Sequence, residues 1–306
     1  MDISVQSGGL EEIFGIDGAY RLMKEAGFDG VDANLDHIWN PSDIKSRTIP
    51  EHLKPGTTVQ DVIEFVKPWG EAAKKYGLKH AQAHAPFPGE LYDEVDEEYE
   101  AFIMDVLQKT IIAAGTIEIP KLVVHPFLKG YKMAYDRETE WEHNIERYMK
   151  LVPYAKEAGV MILLENMFNT YKDRKYESTC SNGWEAKKYV DALNEMAGFK
   201  CFGFCFDVGH SVLVGRDIER FMAEAGDCIE AFHIHDNDGV VDKHQAPYTG
   251  KADWDKFIAG LKTIHYNKTL SFETFMAVRT VPEELIPETL KYIAACGRYF
   301  AKKAEE

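Results

Sequence analysis

The sequence predicts an α/β fold, with eight parallel strands closed into a (β/α)8 TIM barrel, and three observations support it. Short apolar segments recur along the chain, and segments with the helical spacing of apolar residues separate them. At Gly27, Gly77 and Gly159 a glycine follows a basic or polar helix end and precedes an apolar segment, as the left-handed C′ position of a helix favours. From the third apolar segment onward, each one ends in a histidine or an acid. Repeated strand–helix punctuation of this kind is typical of a barrel of βα units.

The predicted strands run from the first residues to residue 273. In chain order they cover residues 3–6, 30–35, 78–84, 121–125, 160–165, 202–207, 229–235 and 269–273. Helical patterns lie between them, for example at residues 59–76, 96–114 and 141–158. Because no linker or low-complexity tract divides residues 1–306, we expect a single domain. An open doubly wound sheet is the alternative, but no glycine-rich phosphate loop follows the first strand.

The composition narrows the classes of partner. Acidic residues number 51 and basic residues 35, which gives a net charge of -16. This balance opposes binding to the phosphate backbone of a nucleic acid, which needs a basic face. It does not exclude a small phosphorylated substrate, which needs only one or two local cations.

Other features of the sequence suggest a cytoplasmic protein. The N terminus lacks the basic and apolar regions of a secretory signal, and no apolar run is long enough to span a bilayer. The five cysteines form no C-x-x-C pair, so we expect free thiols in a reducing compartment.

The ends of the predicted strands carry a set of metal-ligand side chains. From the third strand to the eighth they are His84, His125, Glu165, Asp207, His235 and Glu273. The carboxyl ends of barrel strands converge on one face, so these side chains should meet there. Any one of them alone is as well explained by a structural hydrogen bond or a helix cap. Six together would repel or stay unsatisfied, and a divalent metal bound by nitrogen and oxygen ligands resolves this.

Several segments carry a resemblance to a known family. They are His84-Ala85-Pro86, Val123-Val124-His125-Pro126, Leu163-Leu164-Glu165-Asn166, Phe206-Asp207-Val208-Gly209-His210, His233-Ile234-His235-Asp236-Asn237 and Ser271-Phe272-Glu273. Together they resemble the sugar phosphate isomerase/epimerase family. That family belongs to the xylose isomerase-like barrel superfamily, which also contains the apurinic endonucleases. The resemblance is specific for the fold and weak for the substrate.

The epimerase pattern implies one divalent metal, Mn²⁺ or Zn²⁺ with Co²⁺, Fe²⁺ and Mg²⁺ as alternatives. Its implied ligands are Glu165, Asp207, His235 and Glu273. The pattern also implies that His210 contacts a substrate oxygen. Since His233 and His235 are two residues apart on one strand, His233 is expected one layer deeper in the barrel.

The endonuclease branch of the same superfamily implies two further metals. The first would be held by His84, His125 and Glu165, and the other by His210, Asp242 and His244. The segment Asp242-Lys243-His244 matches the motif for that second additional site. A solvated loop pair is the alternative interpretation of Asp242 and His244.

The resemblance leads to a hypothesis about chemistry. We expect a metal-dependent isomerase or epimerase that acts on a sugar or sugar derivative by proton transfer through a metal-bound enediolate, with Glu165 and Glu273 as acid–base residues. Three alternatives stay open: a dehydratase or lyase acting on an inosose or oxidised glycoside, a multinuclear-metal phosphoester hydrolase, and a non-catalytic metal-binding subunit. We expect neither nucleic-acid nor membrane binding, and a homo-oligomer stays open.

Two long βα loops, residues 37–57 and 166–183, are expected to cover the site. Aromatic residues near the mouth that could pack against a sugar are Trp39, Phe87, Phe127, Phe168 and Trp184. Basic residues of the loops that could hold a phosphate or carboxylate are Lys129, Lys132, Lys172, Arg174 and Lys175.

Overall fold

The structure is a computed structural model that describes residues 1–54, 56–87, 97–127, 136–172 and 174–306. Two candidate anion-binding residues from the sequence, Lys129 and Lys132, lie outside the described residues. The start of the helix predicted at residues 96–114 lies outside them as well.

Eight of the strands form one parallel sheet, and two form a separate antiparallel hairpin. In chain order the strands are β1 (Ile3–Gln6), β2 (Gly30–Asn34), β3 (Lys79–His84), β4 (Lys121–Val123), β5 (Met161–Glu165), β6 (Phe168–Tyr171), β7 (Arg174–Glu177), β8 (Phe202–Asp207), β9 (Ile229–His233) and β10 (Leu270–Phe272). The sheet order is β10-β1-β2-β3-β4-β5-β8-β9. A parallel bridge between Ile234 and Phe272 joins its two edges. The predicted (β/α)8 barrel is therefore confirmed.

Helices surround the sheet and connect its strands. Those with α-helical geometry are α1 (Gly8–Ala26), α2 (Pro41–Ser46), α3 (Val59–Tyr76), α4 (Glu97–Thr116), α5 (Arg137–Ala158), α6 (Gly183–Ala197), α7 (Val208–Leu213), α8 (Ile218–Ala225), α9 (Trp254–Thr263), α10 (Phe275–Arg279) and α11 (Ile286–Glu305). The helix-ending glycines Gly27, Gly77 and Gly159 have φ of 93°, 61° and 67°. These values lie in the left-handed region, as the sequence predicts. No described helix is long and apolar enough to cross a membrane.

Three predicted strands end earlier than the sequence suggests. β4 ends at Val123, β9 at His233 and β10 at Phe272, so His125, His235 and Glu273 lie just beyond the regular ladder. At these positions the backbone bonds become isolated, for example from the Glu273 amide to the Ile234 carbonyl at 3.1 Å. The chain turns outward here, and the side chains reach the barrel mouth from the first loop residues.

The predicted loop at 166–183 also contains regular structure, because β6 and β7 pair as a hairpin in it. Each strand is only four residues long, and its side chains are mixed polar and aromatic. The alternation is too short to stand out from a polar loop in the sequence. The hairpin projects beside the carboxyl end of β5.

The interior of the barrel changes from apolar to polar along its axis. A small buried cluster of Val123, Leu163, Cys205 and Ala231 fills one level. Leu163 and Glu165 lie two residues apart on β5, so they face the same side of the sheet at successive levels. Leu163 of the apolar cluster therefore lies one level beneath Glu165 of the polar mouth. All five cysteines are buried and free, as expected.

Candidate metal centre

The carboxyl ends of the strands bring acids and histidines into three groups, each with ligand atoms within 4.8 Å of one another. Cluster one is His84, His125 and Glu165; cluster two is Glu165, Asp207, His233 and Glu273; cluster three is His210, His235, Asp242 and His244. Every site residue predicted from the sequence lies in one of these clusters. Glu165 belongs to the first two, and the three clusters share one mouth.

In cluster one, the Nε2 atoms of His84 and His125 face each other. His84 Nδ1 donates to the Ala85 carbonyl at 2.8 Å, which leaves Nε2 free to accept. That Nε2 lies 2.9 Å from His125 Nε2, which in turn lies 3.1 Å from Glu165 Oε2. Burial lowers the pKa of His125 and so favours the neutral imidazole that binds metals.

Cluster two brings two buried glutamates to the same ring nitrogen of His233. His233 Nδ1 lies 3.1 Å from Glu165 Oε1 and 3.6 Å from Glu273 Oε2. Burial alone would raise the pKa of Glu165, but the nearby charge of His233 holds it well below its usual range. Gln6 Nε2 fixes Glu273 by donating to Oε1 at 2.7 Å. Both glutamates are therefore held as carboxylates.

A second polar level beneath cluster two was not predicted from the sequence. His233 Nε2 lies 3.3 Å from Asp32 Oδ2. The same oxygen accepts from Gln82 Nε2 at 2.7 Å and from Ser271 Oγ at 3.1 Å. The sequence feature that could have predicted this level is the presence of the polar residues Asp32 and Gln82 inside the predicted strands. His233 contacts acids at both levels, and that it lies one layer deeper than His235 stays a prediction.

Cluster three is built on Asp242. Its Oδ2 lies 3.3 Å from His210 Nε2 and 3.0 Å from His244 Nε2. His210 Nδ1 donates to the Asn166 carbonyl at 2.8 Å, which directs Nε2 into the mouth. Although burial lowers it, the pKa of His210 is raised to about 10 by the neighbouring Asp207, Asp242 and Glu165 carboxylates. The sequence alternative of a solvated loop pair does not describe Asp242 and His244.

His235 connects clusters two and three. Its Nε2 lies 3.0 Å from Asp207 Oδ2 and 3.8 Å from Asp242 Oδ1. The sequence groups His235 with Glu165, Asp207 and Glu273, whereas His233 is the histidine whose ligand atom lies among those three acids here. The role of His235 as their common ligand therefore stays a prediction. Gly209 makes room for it, since a Cβ at that position would lie 1.9 Å from His235 Cε1.

Two buried side chains hold the strand ends in place. Asn166 Oδ1 accepts from the Asp207 amide, and Asn166 Nδ2 donates to the Asp207 carbonyl, both at 2.8 Å. Asp236 accepts from the Gly250 amide at 2.9 Å and from Trp254 Nε1 at 3.2 Å. Trp254 is buried and has a packing role. These contacts fix the ligand loops before any ion binds.

The donor set fits a divalent cation. Glu165 Oε2 and Asp242 Oδ1 are buried and have no hydrogen-bond partner within the described part of the chain. The ion pairs of Glu165, Asp207, Asp242 and Glu273 in these residues all involve histidines, never lysine or arginine. Buried carboxylates need a compensating cation. Carboxylate oxygens and imidazole nitrogens together are ligands of divalent metal ions.

A cavity of about 860 Å³ opens above the clusters. Phe87, Phe168 and Lys175 line it, as expected from the sequence. Trp39 and Phe127 are instead buried in the core, because their rings pack against Phe102 and Tyr148. The remaining three candidates, Trp184, Lys172 and Arg174, are exposed outside the cavity.

A barrel whose mouth carries histidines and acids at successive strand ends defines a class of protein. The family model described as "Xylose isomerase-like TIM barrel" matches residues 20–296. The chain therefore belongs to the xylose isomerase-like TIM barrel family.

Curated relatives are distant. An uncharacterized protein of Methanocaldococcus jannaschii, MJ1614, is 27% identical over 66% of this chain and 74% of its own length. The protein y4fM of Sinorhizobium fredii is 38% identical over 56% of this chain, but this covers only 53% of y4fM. A probable endonuclease 4 of Acholeplasma laidlawii is 26% identical over 69% of this chain and 73% of its own length.

Solved structures share the fold at low identity. The 3-keto-D-glucoside 4-epimerase YcjR of E. coli is 16% identical with a TM-score of 0.68, over 97% of this chain and 100% of YcjR. The D-allulose 3-epimerase of Methylomonas sp. is 18% identical with a TM-score of 0.71, over 99% of this chain and 98% of that chain. At such identities these structures establish the likeness of fold.

Proposed function

We propose that the protein is a divalent-metal-dependent isomerase or epimerase that transfers a proton through an enediolate of a sugar or sugar derivative. The observation that carries the proposal is the pair of buried glutamates, Glu165 and Glu273, at the floor of the cavity. They come from the ends of β5 and β10, and both carboxylates lie close to His233 Nδ1. Two carboxylates that approach one space from different strands are suited to exchange protons with a carbon between them.

Each residue of the cavity has a separate role in the proposed reaction. Glu165 or Glu273 removes the proton from the carbon next to the carbonyl, and return by the other glutamate on the opposite face gives epimerisation. Return by the same glutamate to the neighbouring carbon gives aldose–ketose isomerisation. His210 presents Nε2 to the cavity and holds a substrate oxygen. Phe87 and Phe168 exclude water from the sugar C–H surfaces.

The three acids of cluster two, together with His233 or His235, would hold the cation. When bound, the cation polarises the carbonyl and makes the adjacent C–H bond more acidic. The fold likeness to solved structures described as epimerases supports this choice of reaction class. A dehydratase or lyase would use the same residues, and product analysis separates the two.

A phosphoester hydrolase is the second candidate, because clusters one and three supply ligands that a single-metal epimerase does not need. The probable endonuclease 4 among the relatives points the same way. A net charge of -16 opposes binding to a nucleic-acid strand. We therefore rank this candidate second.

Separate Glu165→Gln and Glu273→Gln variants test the proposal. Each should lower kcat on the ketose substrate by about 10²–10⁴-fold, the usual contribution of a general base. Wild-type turnover in D₂O should place deuterium on the carbon next to the carbonyl. Glu12→Gln is the control, since Glu12 lines the cavity but pairs with Arg279. Full activity in either Gln variant would exclude that glutamate from proton transfer.

A further inference from the structure

We propose that the β6–β7 hairpin forms a subsite for an anionic group, a carboxylate or a phosphate, on the end of the sugar remote from the reacting carbons. Lys175 and Thr170 form this anion subsite. It rests on the proposed function, because it lies in the wall of the same cavity.

The hairpin register brings the two side chains together. Thr170 and Lys175 are directly opposite each other on the antiparallel strands. Lys175 Nζ donates to Thr170 Oγ1 at 2.8 Å. The ammonium keeps its other N–H groups, and the threonine hydroxyl keeps its own proton to donate. An ammonium and a hydroxyl thus offer donors from one spot, which suits an oxyanion.

Phe168 sets the distance of this cation from the metal centre. Lys175 Nζ lies 4.6 Å from the centre of the Phe168 ring, and that ring lies 4.8 Å from the ring of His210. One aromatic ring therefore separates the ammonium from cluster three. A sugar lying on Phe168 would reach the glutamates with one end and Lys175 with the other.

Lys175 is not committed to a carboxylate of the chain. It forms no ion pair with any described acid, whereas the nearest acid of its strand, Glu177, pairs with Arg137 and Arg216. Across the cavity Arg279 is neutralised by Glu12. Among the described cavity-lining residues, Lys175 is thus the lysine or arginine left without an acid.

The other charged residues that line the cavity indicate what the Lys175 ammonium could bind. Glu165, Asp242, Glu273 and Asp36 also line the cavity and repel an anion. A neutral sugar gains little from this cation, whereas an anionic sugar gains a positive group on the side of the cavity away from the ion site. The subsite also fixes orientation, with the anionic end at the hairpin and the carbonyl end at the glutamates.

Calorimetric binding to the metal-loaded protein tests the subsite with three probes: D-glucuronate, D-fructose 6-phosphate and neutral D-fructose. Lys175→Met should weaken binding of at least one anionic probe about tenfold, the cost of losing a hydrogen bond to a charged group. Binding of D-fructose should change less than twofold. Lys172→Met removes an exposed cation of the same hairpin and should leave all three affinities unchanged. The probe that depends on Lys175 distinguishes a carboxylate from a phosphate.

Equal affinity of wild type and Lys175→Met for both anionic probes would overturn the subsite, as would an equal loss with Lys172→Met. These outcomes leave the proton-transfer proposal intact, because that proposal depends on the glutamate variants. Conversely, Lys175-dependent binding without any deuterium exchange would support the subsite and count against the proposed reaction.

Discussion

The two ends of the barrel handle buried carboxylates in opposite ways. At the amino end, the buried Glu230 carboxylate lies 2.7 Å from Lys268 Nζ and 3.5 Å from Lys121 Nζ, and Lys200 also pairs with it. Burial alone would raise its pKa, but hydrogen bonds from Lys200 and Lys268 keep it below the usual value. At the carboxyl end, the four acids Glu165, Asp207, Asp242 and Glu273 form ion pairs only with histidines among the described residues.

This difference indicates which end of the barrel can bind and release a metal ion. A lysine is a permanent cation that completes a structural site, and nothing needs to enter or leave. An imidazole can give up its proton and offer a lone pair to a metal. The carboxyl end therefore has the arrangement of a site that takes its cation from solution, whereas the amino end is finished by the chain itself.

The largest expected effect comes from adding or removing that cation. With free Mn²⁺ or Zn²⁺ about 1,000-fold above its Kd, the free energy of unfolding should rise by about 4 kcal/mol over the chelated protein. Thermal or denaturant unfolding with and without chelator measures the difference. The Asp207→Asn variant, which loses a carboxylate ligand of cluster two that also contacts His235 of cluster three, should show little of this gain. If the free energy of unfolding of the wild type is the same with and without metal, the proposed difference between the two ends of the barrel is wrong.

Another buried acid sharpens the comparison, because Glu11 has no lysine or arginine partner among the described residues and belongs to none of the three clusters. Its Oε2 lies 3.6 Å from His37 Nε2. Its Oε1 accepts from Trp69 Nε1 at 2.9 Å, but its Oε2 has no hydrogen-bond partner in the described chain. Burial raises the pKa of Glu11 to about 7. This is the result expected for a buried carboxylate that no lysine or arginine offsets.

The raised pKa of Glu11 predicts a pH dependence of stability. Between its unfolded value of 4.5 and about pH 7 the folded state binds the proton more tightly, so stability falls as pH rises through this window. The loss reaches about 3 kcal/mol above pH 7. Glu11→Gln should remove this dependence and gain most at pH 8, as measured by urea unfolding at pH 5 and pH 8. Equal gains at both pH values would contradict the assignment.

The smallest effect on stability is expected at the amino end of the barrel, where lysines already neutralise Glu230. Glu230→Gln should cost about 2 kcal/mol in the free energy of unfolding, because three lysines lose their counterion but are partly exposed to water. The cost should be the same with and without metal. Glu224→Gln is the control, since it removes only a surface pair with Arg220 and should cost less than about 0.5 kcal/mol. If the loss of unfolding free energy in Glu230→Gln depended on metal, the amino end would not be independent of the cation, which would contradict the proposed difference between the two ends.

Much of the fold could be predicted because its signals are local. Each glycine that ends a helix, such as Gly77, marks a βα unit regardless of what packs around it. The ligands could be predicted because barrel strands end on a common face, so Glu165 and Glu273 meet although they are far apart in sequence.

The grouping of the ligands could not be predicted, because it depends on register. Irregular pairing occurs between Val31 and Asp32 in β2 and between Phe204 and Cys205 in β8. Such shifts decide how high each side chain lies in the barrel, and they place His233 among the acids of cluster two. The hairpin that carries Lys175 was missed because its order comes from neighbours and not from its own short pattern.

Anomalous diffraction from crystals grown with Mn²⁺ or Zn²⁺ tests the central claim most directly. We predict an anomalous peak within coordination distance of Glu165 and Asp207, with further peaks at clusters one and three if the site is multinuclear. A protein saturated with metal in solution whose crystals show no peak at the carboxyl end of the barrel would contradict the account.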